Sequence, residues 1–277
     1  MGGVTGLQEP GAYTASPMPD PTTPTPPDVQ TEEPAWSSQQ LDQDPHELSD
    51  KADRVRRMFG AIAPSYDLNN RLHSFGQDQR WRRRGVRLAR PGPDSVVVDV
   101  ACGTGDLSEA FHDAGVSKVI GVDFTPEMLD VARSRAHKAG RAELEYRHGD
   151  ATDLDLPTDS ADVLSIAFGI RNVNDPAKAL AEFRRILKPG GRLLILEFSE
   201  PANPLIRLLN NFYCRRVMPV TATIVSGDRS GAYRYLPRSI ETFLPRADLE
   251  RAIREAGFER IQQHALTFGV CVAYLAS

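Results

Sequence analysis

The stretch VVVDVACGTGDL at residues 96–107 constrains the fold more than any other part of the chain. It opens with a run of β-branched residues, which is typical of a strand buried on both faces of a sheet. Gly103 and Gly105 then form a turn, and a helical pattern begins at Asp106. A buried strand, a glycine turn and a helix in this order provide a site for a nucleotide or nucleoside at the carboxyl edge of a parallel sheet.

Strand and helix patterns alternate along the rest of the chain. We predict strands at 95–101, Lys118–Asp123, Leu144–His148, Ala161–Ala167 and 192–198. Helices are predicted to begin after Thr125 and after Asp175, because each is an N-cap residue followed by a proline at the first helical position. Such alternation forms right-handed βαβ units, so the predicted fold is α/β and doubly wound around a mostly parallel sheet.

Three regions flank or interrupt this alternation. Residues 49–90 have a basic, helical pattern, in which Val55 and Met58 fall on one face. Residues 203–240 form an aromatic, basic insertion that is mostly helical. Two strand patterns that turn at residues 267–269 predict an antiparallel hairpin at the edge of the sheet.

The first 48 residues differ in composition from the remainder. Residues 1–50 contain nine acidic side chains and no Lys or Arg, which leaves 33 basic against 28 acidic residues in the rest of the chain. A Pro-rich, acidic segment cannot bury enough apolar surface to offset its ordering entropy, so we expect residues 1–48 to be a disordered tail and 49–277 to be the folded domain. The domain's small excess of positive charge argues against a nucleic-acid partner.

The sequence predicts a cytoplasmic protein without a metal site. The N-terminus lacks the basic and apolar regions of a signal peptide, and no apolar run approaches the ~18 residues that span a bilayer. The cysteines Cys102, Cys214 and Cys271 lack metal-ligand spacing. We therefore expect reduced thiols.

The glycine turn departs from the dinucleotide fingerprint G-x-G-x-x-G. Ser108 replaces the third glycine, and Asp106 directly follows the second. A carboxylate there would repel a pyrophosphate from the helix N-terminus. S-adenosylmethionine has no phosphate and carries a sulfonium and an ammonium group, so it suits an acidic turn. Asp123, twenty residues after Gly103, is placed to accept hydrogen bonds from both ribose hydroxyls.

Residues after the third and fourth strands extend the same site. Asp150 and Ala151 could hold an adenine edge with a carboxylate and a backbone N–H, although a turn capped by Asp150 is the simpler reading. Because ligands bind beyond the carboxyl ends of parallel strands, Ala167, Arg171 and Asn172 should face the reacting end of the cofactor.

Five segments of the chain together resemble one family. They are VVVDVACGTGDL, VDFTPEML, GDATDLDLP, AFGIRNVND and EFRRILKPGGRLLILEFS. They are similar to class I methyltransferases that use S-adenosylmethionine and, more narrowly, to the ubiquinone/menaquinone-biosynthesis C-methyltransferase family. VRRMFGAIAPSYDLNNRLHSFG and GAYRYLPRSIETF extend the resemblance to roughly residues 53–276. GTGD is generic to methyltransferases, whereas FG-x-RNV and Y-x-YLP-x-SI are specific to this family.

The resemblance implies a seven-stranded sheet whose last strand is antiparallel. It also implies that Thr104, Asp123, Asp150 and Ala151 contact the cofactor beside Gly103 and Gly105. The family usually has Ser where this chain has Ala167, so a hydroxyl contact is lost here. Family members C-methylate a polyprenyl quinol, either demethylmenaquinol or a methoxy-polyprenyl-benzoquinol.

Methyl transfer to a quinol carbon requires positioning, deprotonation of a ring hydroxyl and exclusion of water. Tyr66 lies in a segment that we expect to fold over the cofactor as part of the 49–90 lid. The Arg171 guanidinium could stabilise the quinol oxyanion, with a salt bridge that fixes a loop as the alternative, and Asn172 could orient the ring hydroxyl. His73 is a candidate base, with a surface or capping role as the alternative. Tyr233 and Tyr235 are expected either at the substrate mouth or in the core.

A prenylated substrate requires contact with a lipid surface. Two clusters suit anionic headgroups, Arg80–Trp81–Arg82–Arg83–Arg84 and Arg215–Arg216–Val217–Met218, with a solvated helix face as the alternative. The subunit number stays open between a monomer and a homodimer. Three competing functions are a methyltransferase for a soluble small molecule, a nicotinamide-dependent oxidoreductase and a non-catalytic binding protein. Asp106 and the missing third glycine argue against the oxidoreductase.

Overall fold

Seven strands form one sheet in the computed structural model, which describes residues 1–3, 34–228 and 230–277. They are β1 (Val96–Val100), β2 (Lys118–Asp123), β3 (Leu144–His148), β4 (Ala161–Ala167), β5 (Leu187–Phe198), β6 (Ile261–Leu266) and β7 (Cys271–Ala276). Their spatial order is β3-β2-β1-β4-β5-β7-β6. The first five strands pair in parallel, and β7 is antiparallel to both β5 and β6. The predicted doubly wound sheet with a terminal hairpin is confirmed.

Helices cover both faces of the sheet and extend beyond it. They are α1 (Ser38–Leu41), α2 (Lys51–Ile62), α3 (Tyr66–His73), α4 (Gln77–Ala89), α5 (Asp106–Asp113), α6 (Pro126–Lys138), α7 (Pro176–Ile186), α8 (Pro204–Phe212), α9 (Met218–Ser226), α10 (Ala232–Glu241) and α11 (Arg246–Glu255). A π-helical turn, Tyr213–Val217, joins α8 to α9, so the predicted helical insertion is also observed.

The alternation of side chains along the strands explains the two-sided core. Val97 packs with α4, α5 and α6 on one face, whereas Val98 packs with α7 and α11 on the other. Strands buried on both faces are mostly apolar, and β1 is apolar except for the buried Asp99. Of the predicted helix caps, Asp175 accepts a hydrogen bond from the backbone N–H of Lys178, as an N-cap should.

The strand order reverses between β1 and β4, and the site lies there. From β1 the chain adds β2 and β3 on one side, then returns to place β4 on the other side. The loops after β1 and β4 therefore separate and leave a crevice at their carboxyl ends. Ala101 and Phe168 enter these loops with φ of 50° and 59°, a left-handed conformation that costs a non-glycine residue about 1 kcal/mol.

The folded unit begins earlier than the sequence predicts. It runs from Pro34 to Ser277, so a domain boundary at residue 49 is too late. Trp36 is fully buried and stacks on Tyr235 with 4.4 Å between ring centroids, and this burial orders the segment before α2. The rest of the predicted tail, residues 4–33, lies outside the described residues.

Within the described ranges, no helix is both long and apolar enough to cross a bilayer. The predicted strand at 192–198 begins at Leu187 instead, since Leu187 already pairs with Ala161 before the register shifts at Val163. Cys102 and Cys271 are buried thiols, as predicted, whereas Cys214 is only half-buried.

Candidate active site

A pocket of about 860 Å³ opens beyond the carboxyl ends of β1, β2 and β4, and we call it the strand-end pocket. Among the predicted site residues, it is lined by Tyr66, Gly103, Asp123, Asp150, Ala151, Ala167 and Asn172. These residues follow different strands in the sequence, and the structure brings them together in one pocket.

Asp123 is the most constrained acidic group of the strand-end pocket. It ends β2, and its two carboxylate oxygens accept hydrogen bonds from the backbone N–H groups of Gly103 (2.7 Å) and Thr125 (2.8 Å). Burial raises the pKa of Asp123, and these two N–H groups oppose the shift. The carboxylate is thus fixed in one orientation at the pocket wall, as a group that binds two vicinal hydroxyls should be.

Asp150 both shapes its loop and lines the pocket. Its Oδ1 accepts a hydrogen bond from the backbone N–H of Thr152 (2.8 Å), which is the capped turn that the sequence suggested as an alternative. Asp150 and Ala151 nevertheless line the strand-end pocket together with Gly149. The two interpretations of this loop are therefore compatible.

The three residues of the glycine turn, Gly103, Thr104 and Gly105, face different surroundings. Gly103 lines the strand-end pocket, and no atom lies within 4 Å of the position where a Cβ would stand. Gly105 lies against Tyr146 instead, with only 2.3 Å from such a Cβ to the tyrosine hydroxyl. Thr104 does not line this pocket, because its buried hydroxyl donates to Oδ1 of Asp67 on α3 (2.6 Å).

The electrostatic role predicted for Asp106 is wrong. Its carboxylate does not line the strand-end pocket but accepts hydrogen bonds from Arg71 (2.7 Å) and Arg135 (3.0 Å). Burial favours the neutral acid, but Arg82, Arg71 and Arg135 outweigh it and hold the pKa of Asp106 at about 2. Asp106 therefore links helix α3 to the glycine turn, and the carboxylates that line the strand-end pocket are Asp123 and Asp150.

A second pocket of about 1120 Å³ lies among α3, α4 and the helices of the insertion, and we call it the helical pocket. Its apolar lining is Trp81, Phe168, Phe198, Tyr213, Met218, Leu236, Pro237, Ile240 and Val270. Its charged lining is Asp78, Arg82, Arg171, Arg215 and Glu241. Sequence patterns alone did not delineate it, because its walls come from five segments that are far apart in the chain.

Tyr66 and Phe168 line both pockets and so stand at their boundary. Burial raises the pKa of Tyr66, so its hydroxyl stays protonated at neutral pH. The Phe168 ring lies 4.6 Å from that of Phe198 and 5.3 Å from the Arg82 guanidinium carbon. The two pockets therefore share Tyr66 and Phe168 as part of their walls.

Arg171 and Asn172 follow β4 but face different surroundings. Arg171 lines the helical pocket, and its Nη1 donates to Oε1 of buried Glu197 and to the carbonyl oxygen of Phe168, both at 2.7 Å. Asn172 lines the strand-end pocket, and its Oδ1 accepts a hydrogen bond from the Tyr235 hydroxyl (2.9 Å). The guanidinium is thus paired with Glu197, which is the salt bridge that the sequence analysis gave as the alternative role of Arg171.

The other candidates also have defined positions. His73 lines the helical pocket, and its Nδ1 and Nε2 lie 2.9 Å from the carbonyl oxygen of Asn69 and 2.8 Å from Oγ1 of Thr221. These contacts join α3 to α9 and match the capping alternative. Tyr233 and Tyr235 are buried in the core with Trp36 rather than placed at a pocket mouth.

Comparison with known proteins identifies the fold and the family. A family model described as the ubiE/COQ5 methyltransferase family matches residues 47–277. The chain belongs to this family. A demethylmenaquinone methyltransferase of Thermus thermophilus is 44% identical over 79% of this chain and 98% of its own length. A ubiquinone/menaquinone biosynthesis C-methyltransferase of Geobacter sulfurreducens is 40% identical over 83% of this chain and 90% of its own.

Solved structures agree on the architecture. A protein crystallised with the Haloferax volcanii Trm112 methyltransferase activator superposes with a TM-score of 0.58 and 20% identity, over 79% of this chain and 96% of that one. At this identity the match shows the fold alone. Family membership and fold together make this chain an S-adenosylmethionine-dependent methyltransferase.

The strand-end pocket fits that cofactor on its own geometry. The oriented Asp123 carboxylate suits ribose hydroxyls, and the open space at Gly103 allows a ligand to approach the backbone. Phe124 and Met128, which the sequence analysis did not single out, contribute apolar side chains to the wall of the strand-end pocket. Phe124 directly follows Asp123, and Met128 lies in the first turn of α6, so the start of a helix after the end of β2 could have identified them.

Proposed function

We propose that this chain transfers a methyl group from S-adenosylmethionine to a ring carbon of a polyprenyl quinol, with demethylmenaquinol as the substrate. The observation that carries the proposal is the pair of pockets that meet at Tyr66 and Phe168. The strand-end pocket suits the methyl donor, and the larger, aromatic helical pocket suits a fused quinol ring. The Thermus thermophilus relative, a demethylmenaquinone methyltransferase by name, supports the choice of substrate.

Residues of the strand-end pocket would hold the methyl donor. Bound there, S-adenosylmethionine supplies an electrophilic methyl group on a sulfonium centre. Asp123 accepts hydrogen bonds from the ribose hydroxyls, and Asp150 with the Ala151 backbone holds the adenine edge. Because Gly103 has no Cβ, it leaves space for the ligand to approach the main chain.

Residues of the helical pocket would hold the quinol. Trp81, Phe168 and Phe198 form an aromatic wall that excludes water, and their rings pack within 6.0 Å of one another. Arg171 and Arg82 line this pocket and favour loss of a proton from a quinol hydroxyl, because a cation stabilises the phenolate. Asn172 at the adjoining wall orients the reacting groups.

The bond changes balance within the two substrates. The quinol hydroxyl loses a proton, and its oxygen electrons raise electron density at the neighbouring ring carbon. A carbon–carbon bond forms to the methyl group as the carbon–sulfur bond breaks. The ring carbon then loses its hydrogen as a proton and the ring oxygen takes up a proton, which restores the aromatic quinol with a net release of one proton. Charges of opposite sign are neutralised in this step, so a dry pocket favours it.

The surface around the helical pocket supports contact with a lipid bilayer. In the predicted basic cluster on α4, Trp81 and Arg82 are buried, whereas Arg80, Arg83 and Arg84 are exposed. Exposed apolar side chains lie on α3, on the turn that follows it, and on α8 and α9. We call them the apolar rim: Leu68, Leu72, Phe75, Leu205, Leu208, Leu209, Phe212, Val220 and Ile224. Such a surface matches a substrate with a prenyl tail.

Charge on the same segment favours an anionic bilayer. Residues 201–227 contain three arginines, Arg207, Arg215 and Arg216, and no acidic residue. Tyr213, Cys214 and Met218 from this segment line the helical pocket, so the helices that would meet lipid also form the pocket wall. A quinol could therefore enter from the membrane with its tail still in lipid.

The substrate is tested by the quinones of cells that lack the gene. Mass spectrometry of the extracted quinones should show a naphthoquinone one methyl group lighter than the wild-type species, and the intact gene should reverse the change. An accumulating benzoquinone would name the other quinol instead. An unchanged quinone profile would contradict the proposal.

A further inference from the structure

Lys51 is a buried lysine at a position that disfavours a positive charge. It is the first residue of α2, where the helix dipole repels a cation, and its side chain is 2% exposed. Within the described part of the chain, no carboxylate is hydrogen-bonded to its ammonium group. Burial lowers the pKa of Lys51 to about 8, an effect that Asp44 opposes and Arg171 reinforces. A buried charge without an ion pair destabilises the fold, so its presence calls for a role.

The ammonium group of Lys51 holds the loop that follows β4. Its Nζ donates to the carbonyl oxygens of Arg171 (3.0 Å) and Val173 (2.7 Å). These two carbonyls flank Asn172, so the lysine fixes the backbone on both sides of that residue. Ala52, the next residue of α2, lines the strand-end pocket, and the same contacts therefore set the position of the pocket wall.

The side chain of Asn172 is held by a separate hydrogen bond. Its Oδ1 accepts a hydrogen bond from the Tyr235 hydroxyl (2.9 Å), and Tyr235 is itself fully buried against Trp36. Lys51 controls the backbone of Asn172 and Tyr235 controls its carboxamide. Together they determine where the amide group stands in the strand-end pocket.

We propose that Lys51 is a positioning residue for methyl transfer, acting through the Arg171–Val173 backbone on Asn172. This inference rests on the proposed function, because it assumes that Asn172 faces the reacting groups. Charge-assisted hydrogen bonds from Lys51 to the two carbonyl oxygens hold the side-chain amide of Asn172 in the narrow range of positions that methyl transfer requires. Lysine suits this task because one ammonium donates to two acceptors at once.

The test compares Lys51→Met with Lys51→Arg, and uses the exposed Lys118→Met as the matched control. For Lys51→Met we expect kcat with demethylmenaquinol in vesicles to fall at least tenfold. The melting temperature of Lys51→Met should equal or exceed that of the wild type, because methionine has a similar volume and removes a buried charge. Amide hydrogen exchange at residues 170–174 should become faster. Lys51→Arg keeps the donors and should recover part of kcat, and Lys118→Met should match the wild type.

Two outcomes would overturn the inference. One is unchanged amide exchange at residues 170–174 in Lys51→Met. The other is a loss of kcat that is matched by a loss of thermal stability, which would make Lys51 a structural residue. Absence of turnover by the wild type with any quinol would instead contradict the proposed function, while the exchange measurement would still report whether Lys51 holds the loop.

Discussion

Nη1 of Arg171 lies 2.7 Å from Oε1 of Glu197, and neither side chain is more than 3% exposed. Oε1 also accepts the backbone N–H of Phe198, whereas Oε2 has no hydrogen-bond partner among the described residues. Burial raises the pKa of Glu197, and Arg171 opposes the shift. The guanidinium therefore has a structural task in addition to the one proposed at the quinol.

Replacement of Arg171 should separate these two tasks. Arg171→Met leaves Glu197 buried without its cation, so the free energy of unfolding in urea should fall by about 3 kcal/mol. The double variant Arg171→Met/Glu197→Gln removes the stranded charge and should recover at least half of that loss. Its turnover should stay low, because the quinol oxyanion still lacks the guanidinium. A double variant with wild-type turnover would remove Arg171 from the chemistry.

Asp123 should dominate cofactor affinity. Asp123→Ala removes the acceptor for the ribose hydroxyls, and we expect it to weaken binding of S-adenosylhomocysteine by about 1–3 kcal/mol in titration calorimetry. Asp155→Ala, an exposed aspartate outside the pocket, is the control and should bind as the wild type does. Equal affinities for the two variants would exclude Asp123 from the site.

The two glycines of the turn should respond differently to alanine. Gly105 has φ of 90°, and a Cβ there would lie 2.3 Å from the Tyr146 hydroxyl, so Gly105→Ala should destabilise the fold by roughly 1–3 kcal/mol. Gly103 has φ of 57° and open space around its Cβ position, so Gly103→Ala should cost only about 1 kcal/mol. Its methyl group would instead project into the cofactor's space.

Thermal unfolding and calorimetry distinguish the two glycine variants. Gly103→Ala should keep a melting temperature close to that of the wild type and bind S-adenosylhomocysteine more weakly. Gly105→Ala should melt at a lower temperature. The reverse order of melting temperatures would show that the roles of the two glycines are exchanged.

The apolar rim should govern activity only on substrates in lipid. Leu208 and Phe212 are both more than 60% exposed, and each apolar side chain buried in an interface contributes on the order of 1 kcal/mol. Leu208→Ser/Phe212→Ser should therefore weaken binding to anionic vesicles by roughly tenfold or more in a sedimentation assay. Leu244→Ser, outside the rim, serves as control. Vesicle binding equal to that of the wild type would exclude the rim as the lipid contact.

The sheet and the strand-end pocket were predictable because their signals are local. The β-branched run of β1, the glycine turn and Asp123 all lie within one βαβ unit, where spacing alone sets which groups meet. The same logic extended to Asp150 and Asn172, which follow the parallel strands β3 and β4. These residues line one pocket because parallel strands bring their carboxyl ends together.

The errors of sequence reasoning come from contacts over long sequence separations. Asp106 was assigned to the ligand because nothing local indicates that Arg71 and Arg135 would reach it. Trp36 lies in an acidic, Pro-rich stretch, and only its stacking on Tyr235, far along the chain, orders it. Lys51, and the identity of Glu197 as the partner of Arg171, were missed for the same reason.

Methyl transfer by the purified protein in vitro is the measurement that tests quinol C-methylation most directly. The protein would be incubated with demethylmenaquinol in anionic vesicles and S-adenosylmethionine that carries a deuterated methyl group, and the product would be analysed by mass spectrometry and NMR. We expect the deuterated methyl group on the unsubstituted ring carbon of the quinol. A deuterated methyl group on a ring oxygen, or no label in the quinol, would contradict quinol C-methylation.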